Sequence, residues 1–350
     1  MSGSATGRRR LDASVPPEYE QQVRPPRLES RRSAASVGAI VALAALAGAI
    51  GSVLSIVAVD VPSAVYRPSA ALLTIALTTA LVHRAGGHMR IWVSLVAVLG
   101  VAAAVTELAG LVAAAAAATG VVGAVLAVVF TLPSEGVAAT LREYVVSVGI
   151  AVSGAAGVAA WNAQVNVVVF SVTVVAVSLL VVLGLVWALG EGLHGLGRNH
   201  LAILAAVAVV LLLLVVYTYA VRSYGSTSVI NTIDSAIYWM RTTIGGVPRP
   251  VQAFAGFPAL VVGLRLRSQR REGWWILVFA VLATSSVTTA LVSPLAYPTY
   301  IGLSILYSAV IGFVVGWLVS LFVLAPSTKR AARRVESTRR VEPSRWSGLR

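Results

Sequence analysis

Between residues 35 and 325, apolar runs of about 20 residues follow one another with only short polar breaks between them. As a helix, a run of that length spans the roughly 30 Å of bilayer hydrocarbon. Lipid offers no hydrogen bonds to free backbone N–H and C=O groups, so a crossing segment must close its own bonds along a helix. The other solution, a closed barrel, needs short strands of alternating polarity, and no such pattern is present. The chain therefore reads as all-α, a polytopic transmembrane helical bundle. Composition agrees: 58% of the residues are hydrophobic and 11% charged, against about 25% charged in a soluble domain.

Ten spans are predicted, at 35–59, 64–83, 91–109, 111–132, 144–161, 165–189, 201–221, 248–264, 274–296 and 299–325. The stretch 91–132 is too long for one crossing and fits two. Glu107 and Gly110 mark the expected turn, with Gly120 as the alternative. The first apolar run covers about 25 residues, longer than the 7–15-residue core of a cleavable signal, so it is expected to remain as a helix. The polar flanks, 1–33 and 326–350, are low in apolar content and are expected to be disordered basic tails.

The charges orient this map. The chain carries a net charge of +14, and 26 of its 27 basic residues are Arg, Lys329 being the exception. With the N-terminus inside and ten crossings, 23 of the 27 fall in the tails and inner loops, and only Arg67, Arg222, Arg241 and Arg249 fall outside. That asymmetry is the positive-inside pattern. It predicts a multi-pass plasma-membrane protein with both termini cytoplasmic, and it makes anionic lipid headgroups a better partner than nucleic acid. Arg265, Arg267, Arg270 and Arg271 form the expected inner-face lipid contact. Trp92, Trp187, Trp274, Trp275 and Trp317 are expected at the inner interface, and Trp161, Trp239 and Tyr300 at the outer one.

Small residues four apart let helices approach closely in lipid. The last span carries Ser304, Ser308, Gly312, Gly316 and Ser320 at unbroken i+4 spacing. This stripe is expected to pack within the molecule, or alternatively to form a homo-oligomer seam.

Residues 223–264 depart from simple hairpins. Ile230, Ile233, Ile237, Met240 and Ile244 make one helical stripe, with Asn231, Asp234 and Arg241 off it. An amphipathic helix over about 228–244 is predicted, lying in the outer interface or closing over the bundle. The span after it is short and contains Gln252 and Pro258. Interrupted short helices point to transporter binding sites, so Glu107, Asp234, Gln252 and Pro258 are the candidate substrate or coupling residues. A Pro-kinked crossing is the plainer reading.

Little else carries chemistry. The absence of cysteine excludes thiolate nucleophiles, zinc–thiolate centres and iron–sulfur clusters. His83, His88, His194 and His200 fall in predicted inner loops or at span ends, with no pairing suited to a metal. Residues 190–195 match a dinucleotide-binding glycine string but follow a membrane helix rather than a strand, so the fingerprint lacks its context. No catalytic residue, cofactor or metal is expected. Two functional readings follow: a non-catalytic membrane subunit or scaffold of an envelope complex, and a permease or flippase-type transporter with its site near 248–264. An intramembrane enzyme ranks below both.

Overall fold

A computed structural model describes residues 28–57, 62–188, 227–268, 273–292 and 297–324, together with Arg345, Trp346 and Leu349. The predicted span 201–221, Arg270, Arg271 and nearly all of both tails lie outside the described residues.

The described chain is all-helical. Its elements are α1 (Leu28–Val57), α2 (Ser63–Ala85), α3 (Met89–Thr106), α4 (Ala109–Val129), α5 (Val137–Ala160), α6 (Val167–Ala188), α7 (Thr227–Thr243), α8 (Phe257–Arg267), α9 (Gly273–Thr288) and α10 (Pro298–Val323). A π-helical turn, Gln252–Gly256, leads directly into α8. Helices α1 to α6 and α10 are long and apolar enough to cross a membrane. The protein is a polytopic integral membrane protein.

The run at 91–132 is divided at Glu107. That residue caps α3 with φ 56, in the left-handed region a non-glycine residue seldom adopts, and Leu108 caps α4 in extended geometry. Gly120 lies inside α4. Helix α5 begins at Val137, seven residues before the apolar run at 144, which draws Glu143 into a helix. Trp161 does not face lipid or water: it is fully buried, and its indole N–H donates to Thr119 Oγ1 at 2.8 Å.

The core lies among α2, α4, α5, α8 and α9. Backbones there approach through small residues. A Cβ added to Gly123 would stand 3.1 Å from Gly154 Cα, and one added to Gly256 would stand 2.6 Å from Ala283 N. Apolar side chains such as Leu43 on α1, Val98 on α3, Leu180 on α6 and Phe322 on α10 face outward. Lipid is the medium in which such a surface costs nothing.

Contacts sort the helix ends into two groups. Near one end lie the start of α1, the end of α2, the α4–α5 and α8–α9 connections and the end of α10. Here Arg267 reaches Thr131, Ser134 N–H bonds Leu264 O, and Arg265 meets Ser320. This is the arginine-rich end. At the opposite end Arg67 pairs with Glu107, Asn162 neighbours Leu291 and Val292, and Arg241 stands over the Tyr300 ring.

Candidate functional site

Two regions gather polar chemistry. The first is a seam along α10. After α7 the chain turns at Gly245 (φ 71) and runs without helical structure to 249, passing beside α10. Unpaired amides at membrane depth cost several kcal/mol, on the order of a strong hydrogen bond each. They are satisfied from α10: Val247 N–H donates to Ser304 Oγ at 3.0 Å, and Arg249 N–H donates to Ser308 Oγ at 2.8 Å. Tyr307 adds its hydroxyl to Ile244 O at 2.8 Å. One turn further along α10 the serines give way to glycines, because side chains now arrive from the other strand of the seam. Phe257 seats on Gly312, and a Cβ on Gly316 would stand 2.8 Å from Pro258 Cα. At the far end Ser320 accepts from the Arg265 guanidinium, which also lies 3.9 Å over the Trp317 ring. The five-residue stripe is thus occupied by this chain's own 247–265 segment.

Within the seam, residues 250–267 form one unbroken helix, so Pro258 does not interrupt it. Proline lacks an N–H and crowds the carbonyl four residues earlier. The π turn immediately before it absorbs that misfit, with Phe257 N–H donating to Gln252 O, five residues back. Gln252 is 1% exposed. Its Nε2 donates to Ser286 Oγ at 2.8 Å, while its Oε1 finds no partner among the described residues.

The second region is the arginine-rich end. Glu143, one and a half turns into α5, is fully buried. Its Oε2 accepts from Leu132 N–H at 3.0 Å, and its Oε1 accepts from Arg142 at 3.1 and 3.2 Å and from Arg345 at 2.5 Å. Arg267 is also buried: it stacks 3.8 Å over Trp274 and donates to Thr131 Oγ1 and O at 3.0 and 3.2 Å. A guanidinium buried in this way is turned toward the protein rather than toward lipid headgroups. Arg265 is half-buried and engages Ser320 and Trp317, so both described members of the expected lipid-contact cluster have partners within the protein.

The remaining candidates are separate from these regions. Glu107 is a turn residue, ion-paired with Arg67 and half-exposed. Asp234 is exposed on α7, whose Ile233, Tyr238, Trp239 and other side chains are exposed too, so α7 does not close over the described bundle. Neither reaches Gln252 or Pro258. Among the described residues, no cluster of three or more His, Asp or Glu could hold a metal. An apolar recess of about 610 Å³ is lined by Leu81, Val96, Val121, Val181 and other apolar side chains, with Thr78 at its wall. Glu143 was missed by sequence reasoning because it adjoins the polar 133–142 stretch and looks like a loop residue. Its one signal is the helix-compatible run VAATLREYVV at 137–146, which extends the apolar period backward past it.

No protein-family model, no curated protein and no solved structure matches this chain.

Proposed function

We propose that this protein is a non-catalytic membrane subunit, a scaffold of an envelope complex, crossing the plasma membrane ten times with both termini cytoplasmic. The observation that carries the reading is that the bundle is closed by direct packing of backbone on backbone. Gly123 lies on Gly154, and the seating of Gly256 on Ala283 and of Gly316 on Pro258 leaves no room for a side chain without a shift of the neighbour. Interiors packed this closely do not deform continuously, and alternating access requires elements to slide or rock. The orientation is supported by the clustering at one end of the bundle of connections that the Arg distribution assigns to the inside. The outward apolar faces of α1, α3 and α6 and the exposed Tyr238 and Trp239 of α7 offer partner-binding surface.

Two measurements test this. Single cysteines replacing Gln252, Thr284 and Ser286 are expected to resist impermeant thiol reagents from either side. Crosslinking in native membranes followed by mild-detergent purification is expected to return stoichiometric membrane partners. Labelling at 252 and 286 together with a solitary chain would overturn the proposal.

The permease reading has one specific observation in its favour: the unpartnered Gln252 Oε1 beside a π turn, a backbone form common at functional sites. Labelling of Gln252→Cys and Ser286→Cys from the outer side, blocked by a transported solute, is the outcome that would establish it.

A further inference from the structure

The polar composition of 326–350 gives no reason to expect order there, yet three of its residues are packed against the bundle. Arg345 sends its guanidinium to the buried Glu143 at 2.5 Å and lies 5.8 Å over the Phe130 ring. Trp346 stands edge-on to Phe130 with centroids 5.3 Å apart, and a Cβ on Gly38 would come 2.7 Å from its indole. The Trp346 carbonyl accepts from His83 Nε2 at 3.1 Å, and Leu349 N–H donates to Arg84 O at 3.0 Å while its side chain joins the core cluster. Within five residues the segment makes a charge-assisted bond, an aromatic contact, two hydrogen bonds through its main chain and an aliphatic contact. Its partners come from α1, α2, the α4–α5 connection and α5.

These are the elements of a peptide-recognition site. A buried carboxylate sets the position of a cation, and a bidentate-capable Arg fits it better than Lys would. An aromatic anchor fills a slot whose floor is a glycine. Backbone bonds fix the direction in which the peptide runs. Glu143 is also costly to leave without its partner, because the other guanidinium on it, Arg142, is 68% exposed and adds little in water.

We propose that the arginine-rich end carries a peptide-binding seat, with Glu143 as its anionic anchor point, and that Arg345, Trp346 and Leu349 of the same chain are its resident contacts. The seat ties together the ends of helices that are distant in sequence, and its occupant is a strap that can be removed without touching any membrane-spanning segment. The inference is independent of whether the protein is a scaffold or a permease.

The test uses a chain truncated after residue 325 in nanodiscs of neutral phosphatidylcholine, so that a basic peptide gains nothing from lipid charge. A fluorescent synthetic peptide of residues 341–350 is expected to bind saturably by anisotropy. Arg345→Glu or Trp346→Ala in the peptide, and Glu143→Gln in the truncated chain, should each weaken binding by about tenfold or more. Glu143→Gln keeps an acceptor for Leu132 N–H, and its folding is checked by monodisperse gel filtration. Absence of saturable binding, or binding indifferent to all three changes, overturns the proposal. If truncation prevents folding, the full chain decides. Photoactivated benzoylphenylalanine in place of Trp346 should crosslink within one chain, to peptides containing Gly38 or Phe130. Crosslinks between copies, or none, refute the assignment.

Discussion

The two ends of the bundle solve the same problem by different chemistry. At the arginine-rich end, Arg84, Glu143 and Arg267 are buried, and each has a partner far away in sequence: Val129 O, Arg345 and Thr131 respectively. At the opposite end, ionic side chains such as Glu107, Asp234 and Arg241 stay exposed, and the chain reverses through local geometry, with Glu107 at φ 56 and Asn162 at φ 48. Asn166 adds a local cap there, accepting from Val168 and Val169 N–H at 3.1 Å. One end buries its ionic groups between elements; the other leaves most of its ionic groups exposed and is tied by fewer links, such as Arg67–Glu107 and Tyr307 to Ile244 O. The first should therefore be sensitive to single substitutions that the second tolerates.

The largest expected effect is at the arginine-rich end. Glu143→Ala leaves Leu132 N–H and the mostly buried Arg345 guanidinium without their acceptor, and should cost about 3 kcal/mol, read as a lowered Tm in detergent by fluorescence-detected gel filtration. A Tm close to wild type would mean that this end is no more cross-linked than the other. Next comes the seam that joins the two ends. Gly316→Leu forces a side chain against the Pro258 and Val261 backbone and side chain, and overpacking of that kind should cost about 2 kcal/mol. Gly302→Leu, on the same helix with open space around its Cα, is the matched control and should be near neutral.

A smaller effect is expected at Gln252. Gln252→Leu removes an unpartnered buried acceptor, and Ser286 keeps its bond to Ala283 O at 2.9 Å. Stability should therefore change by no more than about 1 kcal/mol, in the favourable direction. A substantial loss would reveal a partner for Oε1 and favour the permease reading. A further modest effect belongs to the opposite end: Glu107→Ala breaks an ion pair whose carboxylate is half in solvent but whose Arg67 partner is 14% exposed, and should cost about 1 kcal/mol. If it rivals Glu143→Ala, the contrast between the ends collapses.

The helical class was legible because lipid leaves apolar segments almost no alternative, and the small-residue stripe of α10 was legible because i+4 spacing survives in any helix. What would fill that stripe was not. Ser304 and Ser308 read as small residues, yet each spends its oxygen on an amide more than fifty positions away. The π turn was hidden for a related reason: Pro258 announces a disturbance, but whether the helix breaks, kinks or widens depends on what packs around it. Glu143 and Trp346 show the remaining limit. Composition shows 326–350 to be low in apolar content, but it is silent about a core built elsewhere that a few of those residues can join. The inner-face arginines illustrate the same point, since charge counting finds Arg265 and Arg267 without revealing that Trp317 and Trp274 stand ready to receive them.

The non-helical stretch before Pro250 has a consequence for how the protein is made. Its amides at 247 and 249 are accepted by hydroxyls 57 and 59 residues later in the chain. While the ribosome is still short of those serines, the native acceptors of the two amides have not yet been made. Lateral release of this portion into lipid before the final helix has emerged would leave both amides without those partners, so the last third of the molecule is completed only when its final helix arrives.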